Sequence, residues 1–382
     1  MYILLISMMK NVFLILSLLL LFVSCQKEKT VGGTYETIVI DLDQKKVMQK
    51  EAAFSDFSPV LLEVTNESLL SNIAKVVCND DRLYVLSMME PTVFIFDKSG
   101  KFMSKLAKGQ GPGEVIFVSD VTVYNDTLFV LDNYRSIKAY DLDGHFLEEK
   151  IKIEGPYFSM HFTPEGLYLL DPNINRRSEH NLHVLTNTGK EELYLPKNKW
   201  LQEVSIASYY AMRDRYIVWP LSDKVYRIEE KTGKVYPVYW IDFKGKWIEA
   251  QDFKESIKSS DVCGGKMNQY VRWLKDVMDM PDGGLFFGFK YDRDYYVKYR
   301  DGECLLYDHL LKDCPNPEMN AAAVGAYNGS LIYVYAPEAL QKYKEEHPQS
   351  KLATFEWLNQ SAENLNPVLF FVPIGDKNGT DR

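Results

Sequence analysis

A repeated unit of about twenty residues constrains this chain more than any single motif does. In residues 82–102, two short runs of alternating apolar residues are followed by the turn Asp97-x-x-Gly100, and residues 127–146 repeat that order. Alternation with a period of two predicts β-strands, and the turns between them predict a β-meander. A single meander cannot bury both of its faces, so we expect the copies to stack on one another.

The spacing of the copies predicts a propeller. The second strands of successive copies align on Leu83, Leu128, Leu167, Tyr216, Leu285 and Leu331. The turns that close the third strands fall at Gly100, Gly144, Gly189, Gly233 and Gly302. The first four glycines are 44, 45 and 44 residues apart, and about 40 to 45 residues is the length of one four-stranded blade. We therefore predict an all-β fold, a six-bladed β-propeller over residues 35–373, with short helical insertions in blades five and six.

The two insertions are placed by breaks in the repeat. Gly233 and Gly302 are 69 residues apart, and the apolar spacing in residues 246–280 predicts amphipathic helices there. In the sixth copy, residues 337–346 replace the glycine turn and begin with proline, which favours a helix.

Closure of the ring requires a strand from the other end of the chain. After the second insertion the chain returns as an apolar strand at residues 367–373, which leaves blade six short of one partner. Two N-terminal strands are candidates for that place, one at residues 35–42 and one near Val60.

The N-terminus predicts a lipoprotein signal. Residues 1–24 contain one charge, Lys10, and an apolar run that is short for a membrane span. The run ends Leu-Phe-Val-Ser-Cys25, which resembles a bacterial lipobox, whose cysteine is acylated. We predict a lipid-anchored protein of the bacterial cell envelope, on the outer membrane; a plain signal peptide and an uncleaved anchor are the alternatives. Residues 25–34 are predicted to be a flexible tether and residues 374–382 a polar tail.

Charge and cysteine content restrict the classes of partner. The net charge is −9, which argues against nucleic acid, because binding phosphates needs a concentrated basic surface. The five cysteines follow no zinc-binding spacing. Cys304 and Cys314 are either a disulfide or two free thiols.

Two motifs resemble binding sites but lack the spacing that such sites require. The glycine-rich stretch 108–114 lacks the spacing of a phosphate-binding loop and is interpreted as a connection between blades one and two. His180 and His183 are three residues apart, and in a strand such residues point to opposite faces. We predict no metal site and no cofactor, and we assign no catalytic residue.

Ligand contacts are expected at the ends of strands that face a central funnel. Polar and aromatic residues at the likely ends of first strands, and in the loops after second strands, are therefore candidates, although such residues are also common in solvated loops. The candidates are Glu114, Asp120, Arg135, His161, Arg176, Arg177, Tyr209, Tyr210, Arg213 and Arg293.

Four stretches resemble the six-bladed β-propeller lipoproteins of Gram-negative bacteria, which are related in blade pattern to NHL-repeat propellers. These stretches are residues 109–114, 128–137, 225–228 and 366–369. The resemblance implies the fold and an envelope location. Members of that family are mostly of unknown function, so it implies no catalytic residues.

Three functions are compatible with these observations. The first hypothesis is a monomeric binding or scaffold module for a glycan, a peptide or a protein partner, held at the membrane by its lipid anchor. The alternative is a hydrolase or lyase with its active site in the funnel, with or without a metal. The third is a sensor or assembly factor that docks through residues 246–280.

Overall fold

The computed structural model describes residues 35–43, 48–153, 156–171, 178–197, 212–229 and 231–375, with internal gaps at 214, 220–221, 250, 254, 256–264 and 318–321. The predicted signal and Cys25 lie outside the described residues. Within the described part of the chain, no helix is both long enough and apolar enough to cross a membrane.

The described chain forms six β-sheets, five of four strands and one of five, so the predicted six-bladed β-propeller is confirmed. Two short strands, β1 (Glu36–Val39) and β2 (Ser58–Val60), precede the first meander. Blade one contains β3 (Ile73–Cys78), β4 (Arg82–Ser87), β5 (Val93–Asp97) and β6 (Phe102–Lys105). Blade two contains β7 (Val118–Tyr124), β8 (Thr127–Asp132), β9 (Ser136–Tyr140) and β10 (Phe146–Lys152). Blade three contains β11 (Ser159–Thr163), β12 (Gly166–Leu170), β13 (His180–Thr186) and β14 (Glu191–Pro196).

The second half of the chain forms the other three blades. Blade four contains β15 (Met212–Arg213), β16 (Tyr216–Val218), β17 (Lys224–Ile228) and β18 (Val235–Asp242). Blade five contains β19 (Leu274–Asp279), β20 (Leu285–Lys290), β21 (Asp294–Arg300) and β22 (Glu303–Tyr307). Blade six contains β23 (Gly325–Tyr327), β24 (Ser330–Tyr335), β25 (Val368–Pro373) and, as its fourth strand, β2.

The core lies between blades. Six hydrophobic clusters are buried, and each joins two neighbouring blades. Between blades one and two, for example, Tyr84 and Ile95 pack with Val121 and Val130, all fully buried. Strands therefore bury both of their faces, which is why their sequences are apolar on both faces at the centre of each blade.

The ring is closed by the strand near Val60. Strand β2 pairs antiparallel with β25, with Ser58 opposite Phe371 and Val60 opposite Leu369. The other candidate, β1, instead pairs parallel with β18 and forms a fifth strand at the outer edge of blade four. The N- and C-terminal parts of the propeller thus share one sheet, and the fold has no open gap between blades six and one.

One side chain holds the closure in place. Asn366 is buried just before β25, and its Nδ2 lies within hydrogen-bonding distance of the carbonyls of Leu62, Glu63 and Ser68, at 3.3, 3.1 and 2.9 Å. Its Oδ1 accepts a 2.7 Å bond from the backbone N–H of Leu70. A buried amide is therefore satisfied entirely by the segment that connects β2 to blade one.

The predicted insertions have different outcomes. Helix α1 (Pro337–Glu346) lies between β24 and β25, as predicted. The helical prediction for residues 246–280 is wrong at its C-terminal end, because Leu274–Asp279 is the first strand of blade five. A β-bulge between Lys275 and Met278 puts Leu274 and Val277 on the same apolar face. That spacing of three residues imitates a helical period.

The glycine turns have the geometry that their sequence predicts. Gly100, Gly144, Gly189, Gly233 and Gly302 all have positive φ, from 66° to 90°. Gly100 has a second constraint, because a Cβ there would collide with the carbonyl group of Leu61, which immediately follows β2. The turn of blade one therefore packs directly against the closing segment.

A pair of glycine substitutions separates these two constraints. Gly302 has a φ of 85°, close to the 90° of Gly100, but its Cβ position is open. We expect Gly302→Ala to lower the free energy of unfolding by about 1 kcal/mol, since only backbone strain is added. Gly100→Ala should cost at least about 3 kcal/mol, because the closing segment must also move. Urea unfolding followed by tryptophan fluorescence measures both, and equal costs would contradict the proposed contact.

Candidate functional site

The first strands of the blades surround the propeller axis. Neighbouring first strands contact one another, as β3 does with β7 and β7 with β11. Three of them, β3, β7 and β19, carry a β-bulge. Bulges turn a side chain away from its regular direction and are frequent beside functional sites. Each of these three strands contributes a charged residue to the axis.

Asp120 of β7 joins three blades. Its Oδ1 is 2.8 Å from the Nζ of Lys75 in blade one, and its side chain is fully buried. Its Oδ2 accepts hydrogen bonds from the Ser159 hydroxyl and the Met160 N–H of blade three, at 2.9 and 2.7 Å. The carboxylate is thus satisfied on all sides within the wall of the channel.

Asp276 of β19 makes the matching connection on the other side of the ring. Its Oδ1 is 3.0 Å from Arg213 in blade four and also accepts a 2.8 Å bond from the Ala323 N–H. Its Oδ2 accepts a 3.0 Å bond from the Tyr333 hydroxyl of blade six. Arg213 also donates to the Ala323 carbonyl.

The two clusters are related by half a turn of the ring. The basic residues Lys75 and Arg213 come from blades one and four, and the buried aspartates come from blades two and five. In each case the aspartate is also hydrogen-bonded to the next blade, three or six. Removal of either partner would leave a buried charge unpaired, so these pairs fix the relative positions of three blades at a time.

A cavity of about 370 Å³ lies on the axis next to these clusters. All six blades contribute to its wall, and it extends from the level of Lys75 and Arg213 to the turn at Asn328 and Gly329. That turn connects a first strand to a second strand. The cavity therefore reaches the face opposite the loops that enter the first strands, since consecutive strands of a meander are antiparallel.

The polar groups on the cavity wall differ in whether they have a hydrogen-bond or ion-pair partner within the protein. Lys75 and Arg213 are paired, whereas no hydrogen bond joins the Thr122 hydroxyl or the His161 ring to any described residue. Burial, and to a lesser extent the Lys75 ammonium group, lowers the pKa of His161 from 6.5 to about 4. At neutral pH the ring is therefore uncharged, with one nitrogen donating and the other accepting.

Other reactive side chains show no sign of activation. Burial raises the pKa of the Cys78 thiol, which lines the cavity, to about 12, so it is not a ready nucleophile. Cys304 and Cys314 are free thiols in this structure, in two different clusters of the core. Among the described residues, no three histidine, cysteine or acidic side chains are grouped so that they could hold a metal ion.

The structure distributes the sequence candidates over several places. His161 and Arg213 line the axial cavity, and Asp120 lies directly behind its wall. The remaining described candidates lie in loops on the opposite face, and these are Glu114, Arg135 and Arg293. Four candidates lie outside the described residues, and these are Arg176, Arg177, Tyr209 and Tyr210.

The loop candidates are engaged locally. The Glu114 carboxylate accepts a 2.8 Å bond from the Gly111 N–H and so stabilises the glycine-rich connection. Arg293 is 61% exposed and lies 3.7 Å from both Asp292 and Asp308, and Arg135 is an exposed turn residue. Lys75 and Thr122 also line the cavity, and neither was among the candidates from the sequence. Their only signal was a polar residue within an apolar first strand.

The fold and the site define a six-bladed β-propeller with a polar axial cavity. A model of the family described as a domain of unknown function (DUF4934) matches residues 37–373. The chain therefore belongs to this family.

Two solved structures are similar to this one. The fold is similar to that of a protein of Bacteroides fragilis whose name calls it exported, with a TM-score of 0.69 and 18% identity over 90% of this chain and 100% of that chain. A member of the DUF4221 family from Bacteroides vulgatus has a TM-score of 0.46 and 12% identity over 85% of this chain and 97% of that one. No protein with a curated description matches the sequence.

The lowered pKa of His161 makes the stability of the propeller depend on pH. The unfolded chain takes up a proton near pH 6.5, whereas folded His161 does so only near pH 4. The stability present above pH 6.5 is therefore lost as the pH falls toward 4, by about 3 kcal/mol. We expect His161→Gln to lose less stability than the wild type between these two pH values in urea unfolding.

His145→Gln is the matched control, since the His145 ring is exposed on a turn and paired only with Asp141. We expect it to follow the wild-type pH profile closely, because exposed ion pairs contribute little. If His161→Gln also followed that profile, the ring of His161 would not be held uncharged in the folded protein.

Proposed function

We propose that this protein is an envelope-anchored binding module whose axial cavity holds a small polar ligand. The observation that carries the proposal is the cavity itself. It combines walls from all six blades with two polar groups, Thr122 and His161, that have no hydrogen-bond partner among the described residues. Binding sites are concave, largely preformed and equipped with a few polar groups that fix orientation.

The size of the cavity restricts the kind of ligand. About 370 Å³ is near the lower end of the range for small-molecule sites. A single sugar unit or the end of a peptide fits that volume, whereas a folded protein would contribute only one side chain or terminus. Of the partners considered from the sequence, the cavity favours a small saccharide or peptide fragment over a large protein surface.

Rigidity of the wall supports a role in binding. Lys75 and Arg213 are each fixed by a fully buried aspartate, and those aspartates connect neighbouring blades. Side chains that are already held in place lose little conformational entropy when a ligand arrives. The site is thus prepared for recognition before the ligand binds.

The N-terminal segment supports the proposed location. Cys25 ends an apolar run that is preceded by Lys10, and a structural relative carries a name that calls it exported. We infer that Cys25 is acylated and that residues 26–34 tether the propeller to the outer membrane. More than one acyl chain on the cysteine would give stable attachment.

Filling the cavity tests the binding role. Thr122→Phe places a large ring on the cavity wall, and Thr188→Phe places the same ring on an exposed turn far from the inner strands. The full-length chain in detergent is screened by thermal shift and calorimetry against monosaccharides, disaccharides and dipeptides. We expect at least one probe to bind the wild type and Thr188→Phe, and to lose about 10-fold or more in affinity with Thr122→Phe. A probe that binds all three equally would place the site elsewhere, and absence of binding across the panel would contradict the proposal.

Metabolic labelling tests the anchor. In a Gram-negative host supplied with an alkyne-labelled fatty acid, we expect the wild-type chain to take up the label and to sediment with the outer membrane. Cys25→Ala should lose the label, while Cys304→Ala, which removes a half-buried thiol of the propeller, should keep it. Labelling of Cys25→Ala at the wild-type level would rule out this cysteine as the lipid attachment site.

A further inference from the structure

The axial cavity has basic side chains on two opposite walls. Lys75 belongs to blade one and Arg213 to blade four, which face each other across a ring of six blades. Their side chains are 15% and 9% exposed, so their polar ends are mostly withdrawn from bulk water. A ligand on the axis would therefore lie between two cations in a poorly hydrated space, where electrostatic interactions are stronger than at the surface.

The counter-ions of Lys75 and Arg213 lie behind the cavity wall, on the side away from the axis. Asp120 and Asp276 have fully buried side chains and do not line the cavity. Each ion pair thus turns its positive end toward the axis. Among the described residues of the wall, none carries a carboxylate, although the protein as a whole has a net charge of −9.

Tyr327, on the wall of the cavity, lies between two charges of opposite sign. Its hydroxyl donates to Asp80 at 2.7 Å and accepts from Lys98 at 3.0 Å. The charged side chains among the described residues of the wall itself are Lys75 and Arg213, and both are basic.

Both cations retain hydrogen-bond donors. Lys75 makes one hydrogen bond among the described residues, to Asp120, and an ammonium group has three donors. Arg213 donates to Asp276 and to the Ala323 carbonyl, and a guanidinium group has five donors. Donors of this kind match carboxylate, sulfate and phosphate oxygens.

We propose that the ligand of the axial cavity carries an oxyanion group, a carboxylate, sulfate or phosphate, which binds between Lys75 and Arg213. This inference rests on the proposed function, because it assigns a ligand class to the same cavity. The uncharged His161 ring and the Thr122 hydroxyl are then free to bind neutral polar groups next to the oxyanion. An acidic sugar and a free inorganic anion share the required chemistry.

Histidine resonances provide a readout located in the cavity. The chain has six histidines, so the ring signals of histidine-labelled full-length protein in detergent can be separated, and that of His161 is assigned by its loss in His161→Gln. The probes are D-glucuronate, D-glucose, inorganic sulfate and inorganic phosphate. Glucuronate and glucose differ only at C6, which is a carboxylate in glucuronate and a hydroxymethyl group in glucose, so the pair measures the effect of replacing a neutral group by the carboxylate.

A charge introduced on the wall gives the matched test. Thr122→Asp adds a carboxylate to the cavity, and Thr122→Asn adds an uncharged group of the same shape. We expect glucuronate to shift the His161 signal with at least about 10-fold higher affinity than glucose. Thr122→Asp should lower the affinity for glucuronate by at least about 10-fold, and Thr122→Asn should lower it by less than about 3-fold.

The outcomes separate this inference from the function on which it rests. Sulfate or phosphate binding that competes with glucuronate would identify the oxyanion alone as sufficient, and binding of glucuronate only would identify an acidic sugar. If glucose bound with the same affinity as glucuronate, the oxyanion inference would fail and the binding role would stand. The same conclusion would follow if no anionic probe bound, while a neutral ligand of the wider panel bound the wild type and lost affinity with Thr122→Phe. If no ligand of either kind responded to cavity variants, both would fail.

Discussion

Closure of the ring is the constraint on which the rest of the propeller depends. Each blade buries its faces only against two neighbours, so blades six and one must meet for either to be stable. Strand β2 completes blade six, and buried Asn366 binds the connection from β2 to blade one through four backbone groups. Residues about 300 positions apart must therefore find each other, and such non-local pairing is slow to form.

The axis shows how a ring of apolar blades accommodates charge. Buried ion pairs cost desolvation energy, and they persist where their geometry is fully satisfied. Asp120 and Asp276 meet that condition by binding the blades on both sides of their own. The same arrangement leaves Lys75 and Arg213 facing the cavity, so one set of contacts both aligns the blades and gives the proposed binding site its charge.

Two errors of sequence interpretation have a common cause. The bulge in β19 gave Leu274 and Val277 a helical spacing, and Lys75, which was not among the sequence candidates, follows a bulge in β3. A bulge inserts one residue into a strand and breaks the alternation on which strand prediction relies. Loop residues such as Glu114 and Arg293 were candidates because binding residues are frequent in loops.

The sequence by itself determined the number of blades, the strands that begin each repeat and the turns at Gly100 and its equivalents, because these depend on local alternation and on backbone conformations that favour glycine. It left open which N-terminal strand closes the ring, since both candidates have the same pattern. Only the tertiary structure decided that β2 does so and that Lys75, His161 and Arg213 share a cavity. Those side chains come from blades one, three and four, and no local signal records which blades surround a common axis.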